Sequence, residues 1–437
     1  MFYRVHKAKK CRGRWKASGD KSLTHRAYLL NAMAEGVAEI RNVNAGEDCE
    51  RTRLLLESLG ARMETLEEKH SWRVEGCAGK FLAPAEILDA GNSGTTIRLL
   101  AGLLASQPFE SRLDGDESLR KRPMVRIQQP LEALGARVHL PDSGTPPFSI
   151  CGGPLQACVY ESHVSSAQVK SAFLLAAMRA EGESRFYEPV LSRDHTERML
   201  QSMGVQLQRD AEHRIRITGP QLPRSVSLRI PGDFSSLAFL AAAATLVEGG
   251  SIVVKGISTN PTRTGMLSVL ERMGGHFAFY HPGESAGEPY ADILVQHSSL
   301  KATEISAGEI PSLIDEVPVI AALASRALGE TRIHGLGELR FKESDRLEKT
   351  LAMLQAFHAK ARVEGDSLFI EGSSQLRACE FDSGGDHRMA MAAAVMALIA
   401  RGETRIHGVE SVRTSFPEFP GLIRRFTNRA LEVEEER

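Results

Sequence analysis

Gly329-Glu330-Thr331-Arg332-Ile333-His334-Gly335 returns almost letter for letter as Gly402-Glu403-Thr404-Arg405-Ile406-His407-Gly408. Each copy follows an Ala-rich run of helical period and opens a short strand that leads to a polar turn. Weaker copies surround Gly36, Gln107-Pro108, Gly182 and Gly249-Gly250. Six copies at a spacing of roughly 70 residues lie too far apart for a solenoid, whose repeats run from about 20 to 50. The repeated unit is therefore a small globular module.

A second element recurs in phase with the first: a helix ending in Leu or Met, then Gly and a strand. It occurs at Leu55-Glu57-Leu59-Gly60-Ala61, Leu131-Glu132-Leu134-Gly135-Ala136, Leu200-Met203-Gly204-Val205 and Leu270-Glu271-Met273-Gly274-Gly275, and is degraded near Leu351-Leu354-Phe357. The apolar positions have helical spacing, and Gly supplies the left-handed cap that turns the chain into a strand. Each module then holds two helices and several strands in β-α-β-α-β-β order, which makes the chain an α/β protein.

Composition bounds the function. The 437 residues are 42% hydrophobic with net charge −1, enough for two or three globular domains, each with its own core. Near-neutral charge argues against a nucleic-acid surface, which needs a broad basic face. The six Cys contain no C-x-x-C pair, and neither a secretory segment nor a membrane-length apolar run is present, so a cytoplasmic location is expected. Residues 1–20 carry a basic cluster (Arg4, Lys7, Lys9, Lys10, Arg12, Arg14, Lys16) and read as a charged edge strand, with no room for a leader before the first motif at Lys21.

Chemistry gathers just before the Ala-rich helices. Lys21-Ser22 and Arg26 precede the first, Asn92-Ser93-Gly94-Thr95 and Arg98 the second, and Ser165-Ser166-Ala167-Gln168 the third. Gly232-Asp233, Asp315 and Asp386-His387-Arg388 precede the others. If these helices run parallel, their N-termini converge and favour an anion. Each motif alone also fits a plain reading: a capped helix with solvated charges at Lys21, a Gly loop at Gly91, an N-cap at Asp315, and charged surface at Arg120-Lys121-Arg122-Pro123 and Lys342-Glu343-Ser344-Asp345-Arg346. The run Gly91–Arg98 lacks the Gly-Lys-Ser/Thr ending of a P-loop, which argues against a nucleoside triphosphate site.

Taken in order, six motifs resemble those of the 5-enolpyruvylshikimate-3-phosphate synthase family over nearly the whole chain. They are Gly-Asp-Lys-Ser at Gly19, Gly-Asn-Ser-Gly-Thr at Gly91, Arg122-Pro123, Ser-Ala-Gln-Val-Lys-Ser at Ser166, Lys-Glu-Ser-Asp-Arg at Lys342 and Asp-His-Arg-Met-Ala-Met at Asp386. The resemblance implies a two-lobed enolpyruvyl transferase fold of six β-α-β-α-β-β units, three per lobe, with the active site in the interdomain cleft. One lobe would comprise 1–20 plus 234–437, the other 21–233. The implied substrates are shikimate 3-phosphate and phosphoenolpyruvate, with no cofactor, no metal, no nucleic acid and no membrane partner, and a monomeric state. Inhibition by glyphosate is implied as well.

Carried onto this chain, the resemblance gives shikimate 3-phosphate to Lys21, Ser22, Arg26, Ser166, Gln168, Ser192, Arg193, Asp315 and Lys342. It gives phosphoenolpyruvate to Lys21, Gly94, Arg122, Gln168, Arg346 and Arg388. A hydroxyl must lose a proton while a methylene carbon gains one, so Asp315 and Glu343 are the expected acid/base groups and Lys21 the third catalytic residue. So many cations around an empty site are expected to repel one another until ligand bridges them. Ser18, Ala167, Glu338 and Thr414-Ser415 depart from patterns seen in some members, and Arg413 lies one place from a family lysine. A sister enzyme acting on a UDP-linked amino sugar bears a loop Cys, whereas Asp114–Pro123 contains none.

Overall fold

The computed structural model describes residues 1–373 and 375–435. Ser374, Glu436 and Arg437, which fall inside the expected lobe 234–437, lie outside the described residues. The chain divides into two compact units. The first comprises Met1–Ala17, Gly232–Gly283 and Pro289–Arg437, and the second Ser18–Pro231 and Glu284–Glu288.

Among the described residues, each unit has its own hydrophobic core and three four-stranded sheets. The module containing Gly94 shows the common plan. Strand Leu88–Asp89 leads through helix Gly94–Leu104 to the parallel strand Glu110–Asp114. Helix Val125–Ala133 follows, then Arg137–His139 and Phe148–Cys151, with Phe148–Cys151 inserted antiparallel between its neighbours. The Ala-rich helix is the crossover between parallel strands, and it is buried almost all round, which is why its sequence from Leu99 onward is apolar on every face.

Two modules are completed by remote strands. Phe2–His6 lies between Glu403–His407 and Leu431–Glu434, antiparallel to both. Arg12–Lys16 pairs in parallel with Ser251–Ser258 at the edge of another sheet. The expectation of one charged edge strand over residues 1–20 is thus corrected to two strands in two sheets, one of them interior. Its basic residues mislead because only alternate side chains count: Tyr3 and Val5 turn into the core while Arg4 pairs with Glu432 and Glu434 outside.

The repeated turn owes its Gly to backbone geometry, since Gly329 and Gly402 sit at φ +105° and +106°, where a side chain is strained. The helix-ending Gly, such as Gly135 at φ +101°, is replaced in the degraded copy by His358 at φ +61° and in the last module by Asn428 at φ +56°. His and Asn are among the side chains that tolerate the left-handed region best, so the geometry persists where the letter has changed.

Candidate functional site

Five of the six Ala-rich helices start at side-chain caps, from Asp20, Ser93, Ser166, Asp233 and Asp386, whereas Val317–Ala324 has none. In the second unit, Asp20 caps Lys21–Met33 by accepting from the Leu23 amide at 2.9 Å. Lys21 on the first turn pairs with Asp48 at 2.9 Å, and Ser22 alongside it is half-buried. One turn on, buried Arg26 donates to Thr196 Oγ1 at 2.7 Å, Ser171 Oγ at 2.9 Å and the Ser22 carbonyl at 2.9 Å. Burial lowers its pKa to about 10, and the carboxylates of Glu197 and Asp20 counter part of that fall.

The same helix carries His25, fully buried, with its pKa pushed well down by burial and by Lys21 and Arg26. The neutral ring meets Thr52 Oγ1 at 2.7 Å, Thr52 meets Thr96 at 2.6 Å, and Thr96 donates to Ser93 Oγ at 2.6 Å. Ser93 caps the helix that begins at Gly94. A buried line of hydroxyls therefore joins the Lys21 helix to the Gly94 turn.

At that turn the absent side chain matters. A Cβ built on Gly94 would stand 3.0 Å from Arg98 Nη1 and 3.1 Å from Arg122 Nη1. Arg122 donates to Asn92 Oδ1 at 2.8 Å, and Arg98 donates to Gln168 Oε1 at 2.6 Å. Gln168 in turn donates to Thr95 Oγ1 at 3.0 Å. Ser166 caps helix Ala167–Ala177, and Ser192 is held by Glu188 through both its amide and its hydroxyl, beside half-buried Arg193.

In the first unit, Asp315, Lys342, Glu343, Arg346 and Arg388 come together. Asp315 does not cap a helix. It lies in a 3-10 turn, Ile314–Glu316, and its carboxylate faces Lys342 at 3.7 Å, Arg346 at 3.6 Å and Arg388 at 3.8 Å. Arg346 opens helix Arg346–Ala356 and is fully buried, donating to Asp386 at 2.8 and 3.3 Å and pairing with Glu343. Burial opposes the charge on Arg346, but Asp386, Glu343 and Asp315 outweigh it and raise its pKa. Burial likewise pushes the Asp386 carboxyl up, and Arg346 more than reverses this, holding it below the usual range. Asp386 also caps the helix that carries Arg388.

Arg388 donates to Ser235 Oγ and to the Asp315 carbonyl, each at 2.9 Å. Ser235 donates to Glu316 at 2.7 Å, and Glu316 accepts from buried Arg263 at 2.7 Å. Carboxylates stand beside four of the cations expected to crowd the site, Lys21, Lys342, Arg346 and Arg388. Asp48 serves Lys21, and Asp315, Glu316, Glu343 and Asp386 serve Lys342, Arg346, Arg388 and the additional Arg263. Sequence reasoning missed Glu316, Arg263, Ser235 and the structural part of Asp386. The available signal was an acid and an arginine planted in apolar or turn segments, Val317-preceding Glu316 and Asn260-Pro261-Thr262-Arg263, where a charge requires a buried partner.

Among the described residues no group of three or more His, Cys, Asp or Glu could hold a metal ion, and no helix is long and apolar enough to cross a membrane. The chemistry available is anion binding by Lys and Arg with carboxylates at hand to move protons.

Residues 5–423 match the family model described as EPSP synthase (3-phosphoshikimate 1-carboxyvinyltransferase). A 3-phosphoshikimate 1-carboxyvinyltransferase from Brevibacillus brevis is 43% identical over 96% of this chain and 98% of its own length. One from Desulforamulus reducens is 41% identical over 96% and 98%. The solved EPSP synthase of Acinetobacter baumannii superposes with TM-score 0.88 at 36% identity, covering 100% of both chains. The enolpyruvyl transferase NikO of Streptomyces tendae, at 16% identity and TM-score 0.79 over 99% and 98%, shares the fold.

Proposed function

The chain belongs to the EPSP synthase family, and from that premise we propose that the anion-binding side chains of its two units bind and process its two substrates. The enzyme transfers the enolpyruvyl group of phosphoenolpyruvate to shikimate 3-phosphate in aromatic amino acid biosynthesis. In the proposed assignment, Lys21, Ser22, Arg26, Ser166, Gln168 and Arg193 hold shikimate 3-phosphate, with Asp315 and Lys342 on its hydroxyls. Gly94, Arg122, Arg346 and Arg388 receive phosphoenolpyruvate, whose carboxylate and phosphate suit the planar guanidinium fork.

The chemistry then divides between two acids. Asp315 takes the proton of the attacking 5-hydroxyl as its oxygen bonds to C2 of phosphoenolpyruvate, and Glu343 delivers a proton to C3. Glu343 recovers that proton as the C2–C3 double bond re-forms and phosphate leaves, its charge met by Lys21. The observation that carries this reading is the Asp315 carboxylate ringed by Lys342, Arg346 and Arg388, with Glu343 on the same arginine. Phosphate release from phosphoenolpyruvate should require shikimate 3-phosphate. Equal release without it would overturn the transfer reaction.

Glyphosate supplies a second test. Wild-type enzyme should be inhibited competitively with phosphoenolpyruvate. The Cβ of Gly94→Ala would crowd Arg98 and Arg122 at 3.0 and 3.1 Å, which should raise the inhibition constant about tenfold. Equal inhibition of the two proteins would remove Gly94 from the proposed site.

A further inference from the structure

One buried charge cluster in the second unit has no part in the assignment above. Lys170 is wholly buried on the first turn of helix Ala167–Ala177, one residue beyond Val169 and two beyond Gln168. Its ammonium donates to Glu188 Oε1 at 2.8 Å and to the Ser192 carbonyl at 3.2 Å, and pairs with Glu197 Oε1 at 2.8 Å. Two of the three N–H groups of the ammonium are committed to hydrogen bonds, and Glu197 supplies a second carboxylate beside it. Glu188 accepts from the Ser192 amide at 3.0 Å through the oxygen that meets Lys170, and from the Ser192 hydroxyl at 2.6 Å through the other.

These bonds close around a loop. Glu188 follows strand Gly182–Tyr187, Glu197 lies in the first turn of helix His195–Ser202, and Ser192-Arg193 falls between them. Lys170 therefore pins both ends and the middle of the segment to the helix that carries Gln168. The hydroxyl proton and amide of Ser192 are both committed to Glu188, so this serine has no donor left for a phosphate. Arg193, next in the chain, is only half-buried and carries the charge that a phosphate requires. A buried ion cluster stabilises a fold no better than apolar residues of the same volume, so what Lys170 and Glu188 supply is geometry.

We propose that Lys170 and Glu188, with Ser192 as the clamped residue, are positioning residues that present Arg193 to shikimate 3-phosphate. This rests on the reading of Arg193 as a ligand of that substrate, and it moves Ser192 from substrate ligand to loop clamp.

Steady-state kinetics with both substrates varied tests it. Arg193→Ala should raise KM for shikimate 3-phosphate about 10- to 100-fold, the range of a lost charge-assisted hydrogen bond. Glu188→Gln keeps the volume but offers an NH2 where the Ser192 hydroxyl donates, and should raise the same KM about 3- to 10-fold. KM for phosphoenolpyruvate should stay within about twofold, a split that loss of folding alone does not produce. The double variant should be no worse than Arg193→Ala, because both changes act through one contact. Lys170→Met should repeat the pattern, and if it does not fold, Glu188→Gln decides alone. Additive effects, equal shifts in both KM values, or a change in melting temperature alone would overturn the positioning role. An unchanged KM in Arg193→Ala would instead show that Arg193 is no ligand, and the proposal would fall with that reading.

Discussion

Glu343→Gln should lower kcat by about 10²–10⁴ while leaving both KM values nearly unchanged, the signature of a lost general acid/base. The substitution is conservative in shape, and the arginine that Glu343 pairs with keeps two other carboxylates. Arg346 still has Asp386 at 2.8 Å and Asp315 at 3.6 Å, so its position does not depend on Glu343. What disappears is the group that exchanges a proton with C3. Exchange of solvent deuterium into that methylene should fall in step with kcat. A simple charge pair predicts normal turnover and normal exchange, and either result in a folded variant would refute the assigned role.

Arg346→Met should be the most destabilising single change at the site, by about 3–5 kcal/mol, because it strands Asp386, a wholly buried carboxylate. In a unit of this size that corresponds to a melting temperature lower by about 10 °C. The pH dependence has a definite sign. In wild type the Asp386 carboxyl is held below its unfolded value, so its contribution is present above about pH 4 and lost as pH falls through the folded value. Without Arg346, burial and the Glu343 carboxylate push the folded value up, with His387 and the bonds from Ser344 and the Arg388 amide opposing them. The variant should then lose stability as pH rises above about 4, and be closer to wild type at pH 5 than at pH 8. Adding Asp386→Asn, which can still cap the following helix, should restore part of the loss. Equal destabilisation at both pH values, with no recovery in the double variant, would show that Asp386 is not what Arg346 neutralises.

Both variants turn on pairs that differ in how visible they are along the chain. Glu343 and Arg346 stand three residues apart at a helix start, and the motif that contains them is readable without coordinates. Arg346 and Asp386 are forty residues apart, and Arg388 and Ser235 are 153 apart. Asp386 was visible as part of a motif and as a helix start, but not as the counter-charge of a buried arginine. Ser192 shows the opposite case. The family resemblance gave it to shikimate 3-phosphate, and both its donors are bonded to Glu188.

The sequence by itself determined the six-fold repeat, the β-α-β-α-β-β order, and the family, and it marked the neighbourhood of the helix starts, although Lys21, Arg26, Arg98, Gln168 and Arg388, read as preceding their helices, lie inside them. Caps, helix-ending Gly and the period of apolar residues act within about one or two turns of chain, so they leave a local record. Only the tertiary structure decided that Phe2–His6 is an interior strand, that His358 and Asn428 replace the helix-ending Gly, and that Glu316, Asp386 and Glu188 hold Arg388, Arg346 and Ser192. Burial raises the cost of a bare charge or donor wherever it occurs, but which remote group answers it depends on the elements that pack around it.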